Sequence, residues 1–233
     1  MKLFKTLLTI LVISLLSSPS WSATIDDLVQ REGIYYQKFN DVPFTGKLTG
    51  REQGSIENGK KEGAWIRYWD NGQLLNEGNY KNGQQEGAWV TYRETGQLSG
   101  KVNFKNGKRD GARIWYYENG QLRFKSNFKS GKAEGAWVEY WIGQLWRKGN
   151  FKNGKEDGAW VYYHDNGQLS QKGNYKNGKR EGAWIGYHNN GQLNYKGNLK
   201  KGKKEGAWVG YEENGTVQKR LTGTFKDGVK ISD

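Results

Sequence analysis

The chain has no cysteine, two prolines, one methionine and two histidines among its 233 residues. Without cysteine there is no disulfide framework, no thiol nucleophile and no lipidated N-terminal cysteine. The histidines, His164 and His188, occupy equivalent places in adjacent copies of a repeat. Stacked hairpins would hold them about 9.6 Å apart, too far to share a metal or pass a proton directly. No Gly-x-Ser-x-Gly elbow or phosphate loop occurs, and the acids recur at intervals instead of converging as a catalytic pair must. The expectation is therefore no catalytic residues, no metal, no cofactor and no small-molecule substrate. Beyond the first segment no apolar run is long enough to cross a membrane as a helix.

What is abundant is glycine, at 34 residues, with 11 tryptophans and 14 tyrosines, against an apolar fraction of only 34%. Aromatic residues and glycine where aliphatic ones would be expected point to strands and tight turns, and such aromatic content argues against disorder. Lys and Arg number 37 against 24 Asp and Glu, a formal charge of +13. That balance attracts anionic partners such as lipid headgroups, acidic polysaccharide or acidic proteins, although lysines spread this evenly also serve solubility alone.

The first segment reads as an address. Met1 to Ser22 carries Lys2 and Lys5, then an apolar run from Leu7 to Leu16, then Ser20-Trp21-Ser22 with small residues where a signal peptidase reads. Cleavage would leave Ala23 as the mature N-terminus, placing the protein in the periplasm or outside the cell and away from nucleic acid. The alternative, a membrane anchor, is disfavoured because the run falls short of the roughly 20 residues a span needs.

A Gly-Ala step begins at Gly63, Gly87, Gly111, Gly135, Gly158, Gly182 and Gly206. Seven copies at 24-residue spacing, with one interval of 23, describe an array whose units stack to share a core. Residues 1–22 are assigned to the signal peptide, 23–57 to an N-terminal cap, 58–228 to the seven-unit array and 229–233 to a fraying tail.

In the first copy, Asn71-Gly72 between alternating runs predicts a two-residue type I′ hairpin joining Ala64–Asp70 to Gln73–Lys81. That register sets Trp69 opposite Leu74, Arg67 opposite Asn76 and Trp65 opposite Gly78, with Trp65, Leu74, Gly78 and Tyr80 on one face and Ile66 and Tyr68 on the other. Glycine would make room for the ring lying across it. Arg113 replaces the tryptophan of the third copy, where Ser126 replaces the glycine and Trp115 offers a substitute ring, while Trp89 falls opposite Val102. The fourth copy lacks one residue at Trp141-Ile142-Gly143-Gln144, so an irregularity is expected there. The fold class is all-β: an elongated, twisted, single-layer antiparallel array of hairpins.

The stretch Lys172-Gly173-Asn174-Tyr175-Lys176-Asn177-Gly178-Lys179-Arg180-Glu181-Gly182 resembles the MORN repeat, which reads aromatic-x-Gly-x-aromatic-x-x-Gly-x-x-x-Gly-x-Gly. The Asn-Gly-Gln-Leu turn and Gly-Ala-Trp step are similar to the bacterial MORN repeat variant, over roughly residues 54 to 228. The sequence departs from the common motif where Trp184 replaces the last glycine and where the leading aromatic is mostly lost. The resemblance implies a single-layer hairpin sheet serving protein contacts, self-association or membrane association. Some relatives carry an antitoxin label, which implies antitoxin-like partner binding as a further alternative.

Two candidate surfaces follow. The aromatic face comprises Trp65, Trp89, Trp115, Trp137, Trp160, Trp184 and Trp208. Its rings either interleave with Leu74, Leu98, Leu122, Leu145, Leu169 and Leu193 as the only core of a one-layer sheet, or form an open groove for a peptide, a second copy or a cell-wall glycan. The basic edge comprises Lys81, Lys105, Lys129, Lys152, Lys176 and Lys200, a solvated turn row or a contact for anionic lipid. The functional expectation is a non-enzymatic exported scaffold that binds a protein partner or itself through the aromatic face, with envelope binding as the alternative.

Overall fold

A computed structural model describes residues 22–233; the expected signal peptide lies outside the described residues but for Ser22. Strand Ser22–Thr24 pairs in parallel with Gly46–Thr49. From Gly46–Thr49 onward each strand pairs antiparallel with the next, through to Val229–Ser232. The result is one 18-stranded sheet, an all-β array of hairpins without an α-helix among the described residues. A separate hairpin, Leu28–Arg31 with Ile34–Gln37, closes the N-terminal end. It is held by Tyr35 N–H donating to the Gly59 carbonyl and seals a core of Leu28, Phe44, Leu48, Ile56, Trp65 and Trp89.

The two kinds of turn exchange the places the sequence suggested. Asn82 and Gly83 both have positive φ, +50° and +78°, and join Lys81 to its opposite number Gln84 in a two-residue turn. That is the type I′ geometry, favoured because its twist matches that of the strands. The Asn71-Gly72 connection is instead wider. Trp69 and Gln73 close it, only Gly72 is left-handed, and Asn71 Oδ1 accepts the Gln73 N–H at 2.9 Å. Asn71 serves through its side chain, and its Nδ2 donates to the Glu94 carbonyl in the next unit.

The register from Trp65–Gly78 to Arg67–Asn76 is as the sequence predicts. A bulge then sets Tyr68, not Trp69, opposite Leu74. The leucine column therefore joins the tyrosine column and not the tryptophans: Tyr92 faces Leu98, and Tyr187 faces Leu193.

Each Gly-Ala step is also a bulge. Gly173 pairs with Trp184 and Asn174 with Glu181, so Gly182 and Ala183 are extra on their strand. Gly182 takes a φ of +70°, which glycine adopts without a Cβ penalty.

The missing residue of the fourth copy is absorbed in its turn. Ile142 and Gly143, at φ +47° and +80°, form a two-residue loop between Trp141 and Gln144, and Trp137 still pairs with Gly149. At the C-terminus, Val229–Ser232 is a paired strand and not a frayed tail, because Asp227-Gly228 makes another turn of the Asn82-Gly83 kind.

Candidate functional site

The tryptophan column is a core and not a groove. Trp65, Trp89, Trp160, Trp184 and Trp208 are 0–6% exposed. Each ring lies over the glycine of the preceding strand: Trp65 over Gly54, Trp89 over Gly78, Trp160 over Gly149, Trp184 over Gly173 and Trp208 over Gly197. This resolves the Trp89–Val102 exception, since Trp89 uses Gly78 behind it and not the residue paired ahead of it. In four units the indole N–H reaches back to an asparagine carbonyl, as from Trp184 to Asn174 at 3.1 Å.

The rings interleave with the aromatic residue that precedes each Asn-Gly turn and not with the leucines. Tyr80 stands edge-on between Trp65 and Trp89 at 5.5 and 5.1 Å, and Tyr175 meets Trp184 at 5.3 Å and 85°. Cations cover the rings from above, with Lys61 4.0 Å from the Trp65 centroid and Arg180 4.2 Å from Trp184. Lys61, Arg180 and Lys204 stand four positions before Trp65, Trp184 and Trp208, a spacing visible in the sequence.

The middle of the array departs from this pattern. Val102 occupies the glycine place, Arg113 the tryptophan place, and Trp115 lies instead over Gly100. In the next unit Ser126 denies Trp137 its glycine, and the Trp137 indole turns to Glu139 Oε2 at 3.3 Å. Trp115, Phe124 and Trp137 then stack as a parallel ladder at 6.3 and 5.9 Å. Trp115 and Trp137 are half-buried, so of the seven predicted rings they alone retain accessible area beyond a trace.

The exposed aromatic surface lies elsewhere. Trp141, Ile142 and Trp146 are 57%, 71% and 42% exposed, and among the described residues they are the large apolar side chains left open between residues 43 and 216. Trp141 and Trp146 border a hollow of about 510 Å³ with Tyr117, Tyr163 and His164, and Ile142 follows Trp141 at the turn. The cause is the shortened turn. In other units the residue after the tyrosine donates to the next unit's tyrosine carbonyl: Trp69 to Tyr92, Arg93 to Tyr116, Tyr117 to Tyr140, His164 to Tyr187 and His188 to Tyr211. Trp141 occupies that place without making the bond, and its ring stands free. Both histidines are thus ties between repeats, each presenting Nε2 to a carbonyl at 2.9 Å.

All six lysines of the basic edge are exposed. Five stand directly opposite another lysine across a turn: Lys105 and Lys108, Lys129 and Lys132, Lys152 and Lys155, Lys176 and Lys179, Lys200 and Lys203. The neighbouring acids have their own task. Glu62, Glu86, Asp110, Glu134, Glu181 and Glu205 each accept the first N–H of the following unit's turn, at 2.7–3.0 Å. Among the described residues no group of three His, Cys, Asp or Glu is placed to hold a metal ion.

The sequence matches the MORN repeat variant at residues 61–82, 85–106, 109–130, 156–177 and 180–201. The unmatched stretch between them holds Trp141, Ile142 and Trp146. No curated protein sequence matches the chain. Among solved structures, a chain of the "Crystal structure of GtfA/B complex bound to UDP and GlcNAc" is similar at 16% identity over 46% of this chain, with a TM-score of 0.21. This chain covers 21% of that one, and so low a score carries no argument about fold or function.

Proposed function

The chain belongs to the MORN repeat variant family across residues 61–201, whose repeats are protein- or membrane-binding modules, and from that premise we propose an exported, non-enzymatic scaffold that binds a protein partner. The observation that carries this reading is the open cluster of Trp141, Ile142 and Trp146. An array that buries five of its tryptophans spends free energy to leave these three side chains in water, at roughly 25 cal/mol per Å² of apolar surface. Contiguous exposed apolar area of this kind marks contact sites, and tryptophan is enriched among the residues that dominate them. Export is supported by the charge and apolar pattern of Met1 to Ser22.

The test is capture from envelope extract by the mature chain beginning at Ala23, compared with the Trp141→Ser, Trp146→Ser double variant. Retention of a defined protein by the first and its loss by the second is expected, with light scattering reporting any self-association through the same patch. Identical capture by both would overturn the reading. Cell fractionation with N-terminal sequencing checks export.

A second reading, envelope contact through the basic edge, is favoured by the five facing lysine pairs. Like charges directly opposite each other weaken a sheet, so a row of them is better tolerated where an anionic surface neutralises it. Salt-sensitive cosedimentation with anionic vesicles, lost on converting Lys129, Lys152 and Lys176 to Gln, is the expected result. Sedimentation with neutral vesicles or peptidoglycan alone would count against it.

A further inference from the structure

We propose that the tryptophan side of the sheet, at the second and third units, carries a site for an acidic peptide segment, with Arg109 and Arg113 as its anion-binding groups. The site rests on the protein-binding reading given above but lies apart from the Trp141 patch. It exists because of one substitution chain. Val102 in the glycine place leaves no bed for an indole, Arg113 takes the tryptophan's position, and the guanidinium is left among rings. Its Cζ sits 4.6 Å from the Phe124 centroid, 5.3 Å from Trp115 and 5.9 Å from Phe128, while Arg109 Cζ is 5.5 Å from Phe128.

The charges around this hollow do not balance. It encloses about 300 Å³ and carries Lys61, Arg67, Arg109 and Arg113 against the single acid Glu52. Glu52 is already committed, to Lys61 at 3.1 Å and Arg67 at 2.7 Å. Arg109 and Arg113 have no acidic partner among the described residues. Burial, and then the neighbouring guanidiniums of Arg109 and Arg123, hold Arg113 below the usual arginine range, although arginine keeps its charge in proteins. A half-buried Arg113 beside the exposed Arg109, two like charges in proximity, gains from an arriving carboxylate, which they can grip through forked, charge-assisted hydrogen bonds.

The rest of the wall selects the kind of carboxylate. Val102, Phe104 and Trp115 line it with apolar surface, which suits a carboxylate flanked by apolar or aromatic side chains. Asn76, Gln85 and Thr91 also line the hollow and can pair with the backbone amides and carbonyls of a crossing segment. The volume accommodates one or two side chains of a segment crossing the face.

The experiment is titration of the mature protein with a blocked pentapeptide alternating Glu and Phe, its Gln-for-Glu counterpart, trigalacturonate and inorganic phosphate. The acidic peptide is expected to bind at least tenfold more tightly than the Gln peptide, more tightly than trigalacturonate or phosphate, and more weakly as salt rises. Arg113→Gln should weaken it at least tenfold. Arg109→Gln, at an exposed position, should weaken it several-fold without disturbing the fold, as judged by an unchanged Tm. Equal binding of the Gln peptide, tighter binding of trigalacturonate or phosphate, or indifference to both substitutions would overturn the proposal. The Trp141→Ser, Trp146→Ser variant should bind the acidic peptide as the parent does, so failure here and failure of the patch are read separately.

Discussion

The indole of Trp184 occupies the space a Cβ on Gly173 would need, and Gly173 stands on the strand before it. The nearest atoms are Cγ, Cδ2 and Cε2, the middle of the ring, so no rotation of a flexible tip would relieve a clash. The array is assembled by this contact, since the ring of one hairpin is seated on the last strand of the previous one.

Gly173→Ala is therefore expected to destabilise the array by about 1–3 kcal/mol, the usual cost of overpacking. Gly182→Ala tests a different cause. Its added methyl would meet nothing within 4 Å, but its φ of +70° is strained for alanine, and a loss of about 1 kcal/mol is expected. Guanidinium denaturation of both variants, with Gly173→Ala, Trp184→Leu as the double mutant, checks the assignment. Coupling near zero between Gly173 and Trp184 would show that the contact is not the cause.

Much of this was readable from the residues. The spacing of Gly63, Gly87 and Gly182 gave an array of hairpins, and Trp65 opposite Gly78 emerged from counting alone. The seating of the ring did not, because pairing fixes which backbones face each other while the side-chain torsion decides which neighbour the ring covers. The two turns differ from the sequence expectation for a related reason. Asn71-Gly72 and Asn82-Gly83 are the same dipeptide, and the bulge opposite Tyr68 that separates them is a property of two strands together. The open patch is half legible: the lost residue at Trp141 is plain, but the hydrogen bond that the equivalent residues make across repeats depends on how the units stack.

Ser126 is wholly buried, and its hydroxyl has no partner among the described residues. An orphaned buried polar group costs about 1–3 kcal/mol, so Ser126→Ala is expected to raise stability by about 1 kcal/mol. Ser126→Gly should go further in structure, though glycine gives back about 0.5–1 kcal/mol in chain entropy. With the bed restored, the Trp137 indole is expected to leave Glu139 for the Asn127 carbonyl, matching Trp184 on Asn174. A blue shift in tryptophan emission for the glycine variant checks this, and an unchanged spectrum would refute it.

Ile142 holds a φ of +47° as the first residue of a two-residue turn, the conformation that Asn82, Asn106, Asn153 and Asn177 take in the other turns of that geometry. A β-branched residue pays about 1–2 kcal/mol for the left-handed conformation, whereas asparagine visits it routinely. Ile142→Asn should stabilise the fold by about 1 kcal/mol in a urea melt. The same change removes apolar area from the patch, so it should weaken partner capture while raising stability. A variant that lost both together would mean that Ile142 is held for the fold and not for contact.

Burial raises the phenol of Tyr162 well above its ordinary value, helped by its hydrogen bond with Tyr175 at 3.0 Å, and burial likewise raises Tyr80 and Tyr195. In the unfolded chain these phenols ionise near pH 10.0. Above that pH the folded state binds more protons than the unfolded one, so stability falls as pH rises; below it the contribution is complete and flat. The array should thus hold a steady Tm from neutral pH to about 9.5 and lose stability steeply beyond, with tyrosinate absorbance appearing together with unfolding. Tyr162→Phe removes one such proton and should make the alkaline slope shallower by up to one proton per molecule. Titration of all 14 tyrosines near pH 10 with the circular dichroism unchanged would contradict the burial of these rings between repeats.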